Sequence, residues 1–270
     1  MRYKFVSDSH VHTDCSRDGT DPAMMMCESA ARLGLYSLTI TDHCECNCYR
    51  AEGYDKSIRQ SCFETRKASA AFIGRLHVFS GMEIGQATQD LSAADDALGA
   101  CKFDFVLASL HQVKGKKDFS DLDYSAEKID DLLERYFDEL LGIIEWGRFD
   151  SLAHLTYPWR YISGEHGIPI KREKWAGKID EVLRLLIRKQ KALELNTSGF
   201  RQKLGVPMPD FPILCRYREL GGRLITLGSD AHRWADVGGG VEQGLALLQK
   251  AGFRHFMIYA SHQPKALPIN

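Results

Sequence analysis

Residues Tyr3–His43 read YKFVSDSHVHTDCSRDGTDPAMMMCESAARLGLYSLTITDH. Two short apolar runs frame this stretch, Tyr3–Asp8 and Tyr36–Thr41, and both are predicted strands. Between them Asp21-Pro22 opens a helix that runs to Arg32, with Gly34 as its stop. Proline costs nothing where a helix starts, because the first N–H groups have no partner inside the helix, and glycine ends helices easily. Strand, helix, strand in this compass is a βαβ unit, which lays its two strands parallel. Histidines and acids stand just past each strand: His10 and His12 after the first, Asp42 and His43 after the second.

The same alternation continues along the chain. Further strands are predicted at His77–Met82, Phe103–Ser109, Asp150–Ala153, Ala192–Leu195, Arg223–Leu227 and His255–Tyr259. Helices are predicted at Asp55–Ile73, Ser125–Trp146, Lys171–Lys189, Phe211–Leu220 and Val241–Ala251. In Ser125–Trp146, Ile129, Leu132, Leu133, Tyr136, Phe137, Leu140 and Leu141 recur at helical spacing. Evenly spaced β-α units predict one α/β domain over residues 1–270, a parallel barrel with helices outside. No Gly-x-Gly-x-x-Gly follows the first strand, which argues against a dinucleotide site. Ser163–Pro169 and Gly205–Pro212 read as loops.

Composition narrows the function classes. The chain is 44% apolar with a formal charge of −1, so nothing predicts disorder or a basic field for nucleic acid. Met1–Ser9 is too short and mixed for a signal peptide, and no apolar run approaches the roughly 18 residues of a membrane span. The expectation is a soluble, cytoplasmic protein without nucleic-acid or membrane partners; no oligomeric state is implied. Cys15, Cys27, Cys44, Cys46, Cys48, Cys62, Cys101 and Cys215 are expected to be free thiols. Cys44, Cys46 and Cys48 lack the second, more distant pair that a zinc knuckle needs, and read as a thiol-rich loop.

Ligand-type residues cluster where barrel enzymes carry their chemistry, at the C-terminal ends of strands. Glu83 ends the third strand, His111 follows the fourth, His154 ends the fifth, and Asp230 and His232 follow the seventh. His77 and His255 start strands and belong at the opposite end, His166 lies in a loop, and these three read as ordinary polar residues. His262 is a further candidate to line the pocket. Imidazole nitrogen and carboxylate oxygen are the usual donors for zinc, manganese and iron. Without a cation, so many of them buried together would carry a large desolvation cost.

In order along the chain, Asp8-Ser9-His10-Val11-His12, Thr41-Asp42-His43, Gly81-Met82-Glu83, Ser109-Leu110-His111, Ala153-His154 and Gly228-Ser229-Asp230-Ala231-His232 carry a family resemblance. The chain resembles the polymerase-and-histidinol-phosphatase (PHP) superfamily, in particular its monofunctional histidinol-phosphatases. The resemblance implies a distorted seven-stranded, TIM-like β/α barrel, so one of the eight predicted strands falls outside the ring or is misread. It also implies three divalent metal ions (Zn, Mn or Fe). By resemblance His10, His12, Glu83 and Asp230 hold one ion, and Glu83, His111 and His154 hold the second. His43 and His232 hold the third with a residue of the loop after His12. Many relatives use a histidine there; this chain offers Asp18, with Asp14 as the alternative.

The resemblance extends to Arg160, in Tyr157-Pro158-Trp159-Arg160, and Arg201, in Ser198-Gly199-Phe200-Arg201, as binders of substrate phosphate. It implies hydrolysis of L-histidinol phosphate, a step of histidine biosynthesis, by metal-activated water and with no protein nucleophile. The alternative is a PHP-type phosphoesterase for another small monoester or nucleotide. Amidohydrolase chemistry would leave the arginines unexplained, and a non-enzymatic metal module would not need so complete a ligand set. Asp8 and Asp42 are candidates to accept imidazole N–H groups, and Glu45 and Glu52 to meet the substrate's cationic end.

Overall fold

Seven parallel strands form a ring in the computed structural model, which describes residues 2–270. β1 (Ser7–Val11) pairs with β2 (Ser37–Ile40); a short β3 (His43–Glu45) follows, then β4 (His77–Gly85), β5 (Phe105–Ser109), β6 (Ser151–Leu152), β7 (Ala192–Asn196) and β8 (Ile225–Gly228). The ring order is β1-β2-β4-β5-β6-β7-β8. β2 pairs with the first half of β4 and β3 with the second half, so β3 resumes the path of β2 after a break at Thr41-Asp42. The ring shuts where β1 meets the end of β8: Asp230 N–H donates to His10 O (2.8 Å) and His12 N–H to Ala231 O (2.8 Å). The observed fold is the distorted α/β barrel expected from the sequence.

Between the strands lie α1 (Ala23–Arg32), α2 (Tyr54–Ala71), α3 (Leu91–Leu98), α4 (Ile129–Trp146), a short α5 (Tyr157–Trp159) leading into a wide turn at Arg160–Glu165, α6 (Arg172–Arg188), α7 (Phe211–Glu219) and α8 (Val241–Lys250). α4 shows why they form. Leu132, Leu133, Tyr136, Phe137, Leu140, Ile143 and Ile144 make one buried stripe, Asp130 and Asp131 favour its N-terminal dipole, and Gly147 at φ +70° ends it. Each large apolar side chain gains about 1.5–3 kcal/mol on burial, so packing outweighs intrinsic propensity here. α4 starts at Ile129 rather than Ser125, because Asp123 captures the Ser125 N–H and hydroxyl in a turn.

Three expectations need correcting. The first strand is not Tyr3–Asp8 but Ser7–Val11, so His10 lies within it. The strand expected to fall outside the ring is the eighth predicted one, as β9 (His255–Ala260) forms an antiparallel hairpin with β10 (Gln263–Pro268). The cysteines are not all free, since Cys62 of α2 and Cys101 after α3 form a disulfide. α2 and the end of α3 flank neighbouring strands, which brings two residues 39 apart in sequence to a Cα separation of 6.7 Å. The other six remain thiols. The Cys44–Cys48 segment is a strand and a helical turn rather than a loop. Burial drives the Cys48 thiol up to about 12 and Cys44 well above its ordinary value, which disfavours thiolate ligands.

Among the described residues no helix is long and apolar enough to cross a membrane.

Candidate metal centre

Glu83 sits in the middle of the rim, fully buried near the end of β4. Its Oε2 lies 3.3 Å from His10 Nε2, 3.5 Å from His12 Nε2 and 2.9 Å from His43 Nδ1. Its Oε1 lies 3.0 Å from His154 Nε2 and 3.2 Å from His111 Nε2. Asp230 Oδ1 stands 3.5 Å from His12 Nε2 and 3.7 Å from His10 Nε2. Asp18 reaches the outer pair, with Oδ2 3.0 Å from His232 Nε2 and Oδ1 3.6 Å from His43 Nε2. All nine candidate ligands therefore converge. Asp14 is exposed and meets neither His43 nor His232 within ion-pair distance.

Three triads are compact enough to hold an ion: His10, His12 and Glu83; His43, Glu83 and His111; and His12, His43 and His232. His43 belongs to two of them because its Nδ1 faces Glu83 and its Nε2 faces Asp18. His12 is stacked between His43 and His232, with ring centroids 4.1 and 4.2 Å away.

The donor chemistry fits divalent cations. Glu83 Oε2 and His43 Nδ1 are buried and, although 2.9 Å apart, neither makes an aligned hydrogen bond. Orphaned buried polar atoms are costly, and a cation between them would remove the cost. Charge is balanced inside the cluster. Burial alone would lower His10, but Glu194, Glu83 and Asp230 raise it well above its ordinary value. His43 and His111 rise in the same way against burial, under Glu83 and, for His111, Glu45. Burial and the neighbouring imidazoles His43 and His232 push His12 well below. Burial opposes ionisation of Glu83 and Asp230, yet the histidines, His10 foremost, hold both well below the usual carboxylate range. Protons and cations would compete for the same lone pairs.

Groups behind the cluster orient it. His12 Nδ1 is 3.3 Å from Ser16 Oγ, which itself donates to Asp42. Asp42 also accepts from Thr13 N–H and from the Thr13 and Ser61 hydroxyls, so it supports His12 through Ser16 rather than by direct contact. Asp8 touches no imidazole ring: it accepts from the N–H groups of Ser229, Gly238 and His10 and from Ser229 Oγ, pinning the β8 loop. Glu45 accepts from His111 Nδ1 (2.9 Å) and from Gln86 Nε2 (2.5 Å). Glu194, absent from the sequence reading, accepts from His10 Nδ1 at 2.7 Å. Its signal is an acid at the centre of a wholly buried parallel strand.

Around the centre, Tyr157 packs against His111 and His154 at 4.9 and 4.8 Å and carries Tyr161 beside it. The Arg160 guanidinium lies 5.3 Å over Tyr161 and 3.7 Å from Asp230 Oδ2. Arg201 is tied to the β8 loop, donating to Ser229 O (2.8 Å) and Gly239 O (3.2 Å). A cleft of about 960 Å³ opens onto His43 and His111 and is walled by Glu52, Asp118, Asp121 and Tyr157. Glu52 is also paired with Arg17. His262 is not there: it lies at the other end of the barrel, bonded to Asp150. His77 and His255 are exposed at the starts of their strands, as expected.

Comparison with known proteins bears on the family and the fold. The PHP domain family pattern matches residues 8–198. A probable histidinol-phosphatase of Thermotoga maritima is 29% identical over 93% of this chain and 94% of its own length. The histidinol-phosphatase of Lactococcus lactis is 26% identical over 94% of each chain. A crystal structure of histidinol phosphate phosphatase from Lactococcus lactis, complexed with Zn, L-histidinol and phosphate, superposes with a TM-score of 0.78 at 24% identity, covering 96% of this chain and 98% of that one. With the family pattern matched over more than half its length and the barrel in place, the chain belongs to the PHP domain family.

Proposed function

We propose that this protein is a histidinol-phosphatase, hydrolysing L-histidinol phosphate to L-histidinol and phosphate with three divalent cations, zinc, manganese or iron. The observation that carries the metal-dependent chemistry is the convergence of five histidines on the buried Glu83, with Glu83 Oε2 and His43 Nδ1 lacking hydrogen-bond partners. The choice of substrate is supported by relatives named histidinol-phosphatases that align along nearly the whole chain.

In this reading His10, His12, Glu83 and Asp230 hold one ion, Glu83, His111 and His154 a second, and Asp18, His43 and His232 a third. The bound cations would supply Lewis acidity, both to phosphoryl oxygens and to a water whose pKa falls towards about 7. The protein's own part is positioning. Glu194, Ser16 and Glu45 engage the Nδ1 atoms of His10, His12 and His111, which selects the tautomers whose bare Nε2 lone pairs would serve as cation donors alongside Glu83. Arg160 stands beside Asp230 and offers a guanidinium fork to phosphoryl oxygens. Arg201 contributes mainly by holding the Asp230 loop, with its outward N–H groups available to phosphate. Tyr157 covers His111 and His154 on one side and excludes water. Asp118 and Asp121 along the cleft, which Lys117 and the paired Arg17 and Glu52 also line, suit a substrate whose organic half is cationic. As an enzyme of amino-acid biosynthesis it would work in the cytoplasm.

The test is phosphate release from histidinol phosphate, nucleoside monophosphates and sugar phosphates by protein of known metal content. The expected result is the highest kcat/KM with histidinol phosphate. Preference for another monoester would replace the substrate, and no release from any by the fully metallated protein would end the phosphatase reading.

A further inference from the structure

Two carboxylates grip imidazoles from behind, and each lies in a notch that only glycine leaves open. A Cβ on Gly85 would overlap the Glu45 carboxylate, which holds His111. A Cβ on Gly228 would collide with His10 Cβ and Glu194 Oε1. The two notches differ in what their carboxylates reach. Glu45 Oε1 holds the His111 ring, while its other oxygen goes to Gln86. Glu194 serves two of the ligand groups at once. Its Oε1 accepts from His10 Nδ1 (2.7 Å), and its Oε2 accepts from the backbone N–H of His154 (2.8 Å) and from Asn196 Nδ2 (3.2 Å).

The second contact matters because His154 has φ +22°, a conformation that L residues rarely adopt. Such a backbone persists only where its surroundings hold it. His154 is buried, and its N–H ends on Glu194 rather than on a strand neighbour. Glu194 itself is 1% exposed, so its two oxygens rely on those three donors in place of water.

We propose that Glu194 is a positioning residue that couples two ion positions: one oxygen sets the tautomer and direction of His10, and the other holds the His154 backbone so that its ring faces Glu83. This rests on the metal-centre reading above. One carboxylate oxygen cannot be replaced by an amide NH2 without setting a donor against either His10 Nδ1–H or the His154 N–H. Glu194→Gln should therefore loosen the ions of both groups, whereas Glu45→Gln should loosen only the His111 group.

The experiment measures Zn2+ and Mn2+ stoichiometry and dissociation by chelator competition on the full chain, with circular dichroism to confirm folding, for wild type, Glu194→Gln, Glu194→Asp and Glu45→Gln. Loss of metallation at the His10 and His154 groups typically follows removal of such a partner by about 10–100-fold in affinity. The expected result for both Glu194 variants is two ions weakened to that extent, with kcat recovering in excess metal while KM for the phosphate ester stays near wild type. Wild-type dissociation constants in a folded Glu194→Gln protein overturn the coupling. Weakening of one ion alone overturns it as well. Failure of both Glu194 variants to fold in excess Zn2+ would make the residue purely structural, which also overturns it. A wild type that binds no divalent cation would instead remove the metal-centre reading, and this inference with it.

Discussion

At the floor of the barrel His262 meets Asp150 at 2.8 Å; at the rim His10 meets Glu194 at 2.7 Å. Both are imidazole–carboxylate pairs of ordinary geometry, and their neighbourhoods separate them. The floor is a plug. The tip of the β9–β10 hairpin donates Ser261 N–H to Asp104 Oδ1 and His262 N–H to Asp104 O, just ahead of β5, while Asp150 also caps Val106 N–H. Its acids and its histidine satisfy one another, and the His262 side chain is half exposed. At the rim, Glu194 uses up only the back of His10, and the front faces His12, Glu83 and Asp230 at 2.9–3.7 Å with no water-exposed edge. Function is marked by polar atoms left over after local bonding is counted, rather than by histidines and acids as such.

The strongest way to break this contrast is to change Glu83, the residue that five of the rim histidines share. Glu83→Gln should lower kcat/KM on the order of 10³-fold or more and reduce bound metal, since metal chemistry contributes several kcal/mol. A variant with full metal content and near-wild-type kinetics would sink the central role of Glu83. Arg160→Ala should cost about 10²–10³-fold in kcat/KM while leaving metal content intact, as loss of one charge-stabilising donor does. Arg201→Ala should fall mainly on stability, by about 1.5–3 kcal/mol in denaturant unfolding, because its charged hydrogen bonds hold the β8 loop. Equal kinetic losses with no change in stability would restore the symmetric clamp expected from the sequence.

A smaller effect tests the electrostatics. His10, His43 and His111 hold protons to higher pH than an ordinary histidine, so ions must displace them. Raising pH removes the competitor. Metal affinity should therefore climb from about pH 6 to about pH 8, by about tenfold per unit for each proton displaced. A pH-independent dissociation constant in chelator competition would show that protons do not occupy these sites. Least of all should come from the floor: His262→Ala should cost no more than about 1 kcal/mol and leave metal binding and kcat/KM unchanged.

The fold was legible because α/β periodicity is written in apolar residues, and those are the residues that bury. Strand ends were less legible exactly where the chain carries its chemistry, for a physical reason. The run Tyr3–Asp8 ends where apolar residues end, but β1 continues through His10 to Val11; β4 likewise runs past Met82 through Glu83 to Gly85. Buried polar side chains extend these strands because partners inside the ring receive them, and no hydropathy pattern anticipates that. Eight of the nine candidate ligand positions were readable through family motifs, and Asp18 through its place in a loop. Glu194 and the Ser16 relay were not, since a lone acid in a strand and a serine in a loop look ordinary until distant segments meet. The same holds for the Cys62–Cys101 bridge, which depends on how α2 and α3 lie beside each other.

The seam between β1 and β8 has a consequence for how the enzyme matures. His10 and His12 come from the first strand, whereas Asp230 and His232 come from the end of the last one to enter the ring. A nascent chain therefore cannot assemble the full set of donors until more than 200 residues have been made and the ring has shut. A complete set of metal donors would therefore require a closed ring, whereas His43, Glu83 and His111 meet without the seam. Cations bound by donors from both sides of the seam would favour the closed ring by mass action.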